Sequence, residues 1–70
     1  MLNVRVVVGS HVVVLPSGAK MAVIIELENG TYAPALVPCT LYLEAGTKVV
    51  VDQIRSTSSA FDYIVMRTNS

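Results

Sequence analysis

The chain has 70 residues, 53% hydrophobic, 14% charged and 6% aromatic, and its five basic residues balance five acidic ones. That length allows a single small domain over residues 1–70. The apolar content excludes a disordered tail, and the zero net charge excludes a strongly basic nucleic-acid binder. A chain this short buries only about 60% of its unfolded surface, which disfavours an enzyme needing both a core and an enclosed cleft. Thirteen valines, four isoleucines and five threonines make 22 β-branched residues, side chains that lose rotamer freedom on a helix and pack well on a pleated sheet.

In chain order, Leu2 to Val8 alternates, with Leu2, Val4, Val6 and Val8 on one face. Gly9-Ser10 signals a turn or bulge, and His11 to Leu15 forms a second short strand. Pro16-Ser17-Gly18 makes a turn. Lys20 to Glu28 is a strand with Met21, Val23, Ile25 and Leu27 facing one way. Asn29-Gly30 predicts a hairpin through a type I′ turn into Thr31. Pro34 interrupts Thr31 to Val37, so that strand is an edge or is bulged there. Thr40 to Leu43 reads as a short strand or one helical turn. Lys48 to Ile54 is a strand with Val49 and Val51 on one face and a bulge near Asp52-Gln53. Ser56 to Ser59 is a polar loop, and Phe61 to Arg67 is the last strand, with Phe61, Tyr63 and Val65 sharing a face. The expectation is an all-β fold, a small barrel or rolled sheet of five to seven strands, OB-like or SH3-like.

Two stretches resemble the small soluble β-barrel domain of NfeD-type proteins. Leu15-Pro16-Ser17-Gly18 is similar to that domain's turn before a strand, and Gly46-Thr47-Lys48-Val49-Val50-Val51 to its entry into the next strand. Tyr32 falls roughly where the family has an aromatic. The resemblance implies an OB-like barrel acting as an interaction module, with no catalytic residues to carry over. This chain differs in its longer hairpin, Lys20 to Thr31.

No catalytic, cofactor or metal site is expected. Ser10 and His11 are adjacent on a strand and point to opposite faces, so they make no nucleophile–base pair. Cys39 and His11 fall short of the three or four ligands that zinc uses, and a lone cysteine forms no internal disulfide. Glu26 and Glu28, with Asp52 or Asp62, read as a solvated face rather than an acid pair. The start, Met1 to Arg5, lacks a signal-peptide pattern and no apolar run is long enough for a membrane span, which points to the cytoplasm.

Two function classes remain. The valine triplets 6–8, 12–14 and 49–51, with Ile24-Ile25 and Ile64-Val65-Met66, place apolar groups on both faces of strands. One small barrel has one interior, so the excess predicts a non-catalytic interaction or assembly module. Its cover is a homo-oligomer, a dimer or larger, or an unidentified protein. The self-association residues are the off-phase members Val7, Val13, Ile24, Val50, Ile64 and Met66. The alternative is a small nucleic-acid-binding barrel using Lys48, Arg55 and Arg67 beside Tyr63, weakened by five acids and an even spread of bases.

Overall fold

The computed structural model describes residues 1–38, 41–55 and 61–69. Cys39, Thr40 at the head of the Thr40–Leu43 segment, and the Ser56–Ser59 loop lie outside the described residues. Among those described there are five strands and no helix: β1 Leu2–Leu15, β2 Gly18–Glu26, β3 Tyr32–Val37, β4 Lys48–Gln53 and β5 Tyr63–Thr68. They close into a barrel in the order β1-β2-β3-β5-β4, with β4 returning to β1. Every pair is antiparallel except β3–β5, which run parallel through Ala35–Tyr63 and Leu36–Ile64. The fold class read from the valine-rich pattern is the one observed.

The two strands expected over Leu2–Val8 and His11–Leu15 are one. Fourteen residues at about 3.3 Å each span some 46 Å when straight, yet the molecule is 31 Å in its longest dimension. β1 therefore bends, and it does so where its pairing with β2 shifts, between Val6 and Val8 and between Val8 and His11. The Gly9-Ser10 signal marks a bulged bend rather than a break. Bulges of this kind let one strand turn a barrel corner.

The core follows the alternation. Val4 and Val6 of β1, Val23 and Ile25 of β2, Ala35 and Val37 of β3, Val49 and Val51 of β4, Val65 of β5 and Leu43 form one cluster. Met21, Leu27 and Tyr63 pack against it. Phe61 is buried just ahead of β5.

Three local expectations change. The β2–β3 hairpin exists, but its turn is not type I′. Leu27 N–H donates to Thr31 O at 2.8 Å, and Gly30 N–H donates to Leu27 O at 3.0 Å. Gly30 has φ 83° and no described non-glycine residue has positive φ. This is a three-residue loop with one left-handed residue at its end. Asn29 serves it by side chain instead: its Oδ1 accepts Thr31 N–H at 3.2 Å and Thr31 Oγ1–H at 2.6 Å. The bulge expected on β4 lies on β5, where pairing steps from Val50–Arg67 to Val51–Val65 and leaves Met66 extra. Residues 41–44 form no strand or helical turn. Pro34 behaves as its missing N–H requires: it pairs with Ile24 of β2, and contact with β5 begins only at Ala35.

Candidate interaction surface

The segment leading into β4 is laid along β1. Ser10 N–H donates to Leu43 O and Leu43 N–H donates to Ser10 Oγ, each at 2.8 Å. Further along, Gly46 N–H donates to Val6 O at 2.7 Å and Val6 N–H donates to Thr47 O at 2.9 Å. The approach is close enough that a Cβ on Gly9 would sit 3.0 Å from Leu43 O. His11 is turned back on the bend, its Nδ1–H donating to Gly9 O at 2.8 Å. Ser10 and His11 thus serve the bend separately and do not contact each other through these bonds.

Past Ser10 no backbone bond among the described residues joins this segment to β1, and Leu41 N–H donates to Pro38 O at 3.0 Å. β1 continues with β2 as its only partner among the described strands: Val12 opposite Met21, Val13 opposite Lys20, Val14 opposite Ala19 and Leu15 opposite Gly18. β3 ends at Val37, opposite Met21, so among the described strands none faces Val14 or Ala19 across the sheet. The β1–β2 hairpin is an arm that overruns the barrel. Val12 is 64% exposed and Val14 84% exposed. At the arm's root lies an open cleft of about 380 Å³, bordered by Val12, Ala19, Met21, Val37, Pro38 and Ile64.

The six off-phase residues are dispersed. Val7 is half-buried at the β1 bend, and Val13 is half-buried on the arm. Ile24 is half-buried between its partners Val8 and Pro34. Ile64 borders the cleft, and Met66 is the bulged residue of β5, 46% exposed. Val50 is covered within the chain at 4% exposure, so it offers no surface. The most exposed valines are instead Val12 and Val14, on the same face as the core-packing Met21, with Val8 at the bend half exposed. The arm carries that face beyond the core's reach, which alternation alone does not reveal.

The residues of the nucleic-acid alternative are likewise split. Lys48 opens β4 and Arg67 lies near the end of β5, at one end of that pair. Tyr63 pairs with Gln53 at the other end, close to Arg55, and its side chain packs on the core. Lys48 borders a cleft of about 410 Å³ that also contains Arg5, Glu26 and Glu28, so two positive and two negative groups offset one another there. Arg5 pairs with Glu26 at 3.0 Å. Tyr32 and Tyr42 are exposed, at 64% and 74%. Among the described residues no three His, Cys, Asp or Glu side chains cluster as metal ligands, and no helix is long and apolar enough to cross a membrane.

Comparison of the chain with protein-family models, curated proteins and solved structures gives no match.

Proposed function

We propose that the chain is a non-catalytic interaction module that self-associates through apolar strand faces on an OB-like barrel. The observation that carries this is the arm, where Val12 and Val14 stand 64% and 84% exposed. Covering apolar surface yields roughly 25 cal/mol per Å², and a second copy is the simplest cover. The OB-like reading is favoured over the SH3-like one by the strand order, in which β5 pairs parallel with β3 and β4 returns to β1. It is also the fold that the resemblance to the NfeD-type domain implies. We place the protein in the cytoplasm, where a chain with one cysteine has no need of a disulfide framework.

Sedimentation equilibrium across the micromolar range tests the reading, with a defined dimer or higher oligomer expected. A monomer at the highest concentration, in the absence of any partner, overturns it. The nucleic-acid alternative has less behind it, because Lys48 and Arg67 lie apart from Arg55 and Tyr63. A salt-dependent rise in anisotropy of a labelled single-stranded oligonucleotide would favour that alternative instead.

A further inference from the structure

We infer that two copies join edge to edge along β1 of the arm, antiparallel, with the twofold axis passing at Val13. This rests on the self-association reading and names the surface that performs it.

The direction of the backbone groups follows from two independent features. Leu15 and Gly18 flank a two-residue loop and are opposed across it, so Leu15 directs its N–H and C=O toward β2. Alternation then turns Val13 toward β2, and Val12 and Val14 away from it. Ser10 has the same phase as Val12 and Val14, and its N–H does point away from β2, to Leu43 O. Beyond Ser10 no backbone bond among the described residues reaches this edge. The two most exposed valines therefore sit where no described residue pairs with the main-chain N–H and C=O groups.

An open strand edge is a template for another strand, and proteins ordinarily block it with charge, proline or a bulge. Two other open stretches carry such a block. β2 beyond Met21, where β3 no longer pairs with it, carries Lys20. β3 before Ala35, where β5 is absent, carries Pro34. The stretch His11-Val12-Val13-Val14-Leu15 has no Lys, Arg, Asp, Glu or Pro.

Self-pairing suits this stretch. With the axis at Val13, Val12 of one copy faces Val14 of the other, and both present N–H and C=O groups that no described residue takes. Two such hydrogen-bonded pairs exchange four bonds. The exposed area is also above that of an average monomer of this mass. The chain exposes 4614 Å², against about 4,250 Å² for a folded monomer of its mass. That surplus is nearly half of the roughly 800 Å² that each partner covers in a standard complex.

The test uses the full chain and two variants. Val14→Pro removes only an outward N–H, so the barrel is expected to fold, with association weakened at least about tenfold. Val13→Cys in a Cys39→Ser background places two thiols across the axis, where Cα atoms about 4.5 Å apart permit a disulfide. Rapid, near-complete covalent dimer under mild oxidation is expected. If the unmodified chain self-associates but Val14→Pro does so equally and Val13→Cys stays unlinked, the edge is wrong and self-association stands. A monomeric unmodified chain removes both. Should Val14→Pro fail to give a native circular dichroism spectrum, the Val13→Cys result decides.

Discussion

At the residue scale, the bend in β1 depends on small groups. Gly9 leaves room for Leu43 O, and a methyl group would meet that oxygen at 3.0 Å while Ser10 N–H holds it in place. Gly9→Ala is expected to destabilise the fold by about 1–3 kcal/mol, as overpacking does, visible as a lower urea midpoint with an unchanged slope. Ser10→Ala removes the acceptor of Leu43 N–H in a partly buried setting. A loss of about 1 kcal/mol is expected by the same measurement. The sequence marks Gly9-Ser10 as a place where the chain changes direction. It does not show that Ser10 Oγ fixes a segment 33 residues away, because that partner is set by the barrel's closure.

At the element scale, hairpins and bulges differ in how far they can be read. Asn29-Gly30 announces the β2–β3 hairpin, but its turn type follows from how the strands meet, and the loop places only Gly30 at positive φ. Gly30→Ala is expected to cost about 1–2 kcal/mol, the penalty of a left-handed conformation for a side-chain-bearing residue. By contrast, Arg5→Ala removes an ion pair whose arginine side chain is 56% exposed. Such pairs contribute about 0–1 kcal/mol, so its thermal midpoint should stay within a few degrees of the parent, and a large fall would mean that Arg5 holds β1 to β2 in some further way. The β5 bulge at Met66 has no sequence signature. Val65 and Met66 are both apolar, and only the register against Val50 and Val51 shows which one is extra.

At the scale of the whole molecule, ten of the described residues form the main core. Ile25 is fully buried within it. Ile25→Ala is expected to cost about 2–5 kcal/mol, a large share of the roughly 3.5–10 kcal/mol typical of 70 residues. Loss of the cooperative unfolding transition near physiological temperature would show it. The proposed association would in turn stabilise each copy by mass action. The thermal midpoint of the parent chain is therefore expected to rise with protein concentration and that of Val14→Pro to stay flat; equal behaviour of the two would separate stability from the arm. Sulfate should strengthen the association, as it does apolar contact, and sodium chloride at moderate strength should leave it nearly unchanged.

The sequence by itself determined the all-β class and the inward facing of Val4, Val6, Val23, Val49, Val51 and Val65, though not the exposure of Val8 at the bend. Those depend on side-chain period and composition, which are local properties. Tertiary structure alone decided the order β1-β2-β3-β5-β4, the fusion of two expected strands into β1 and the burial of Val50. It also decided which apolar residues remain bare. Val12 and Val14 have the phase of core residues, and they are exposed because β3 stops at Val37 and no backbone bond among the described residues joins the segment from Leu43 to β1 past Ser10. Where each strand runs out of partners is a property of the closed barrel, and no single strand's pattern encodes it.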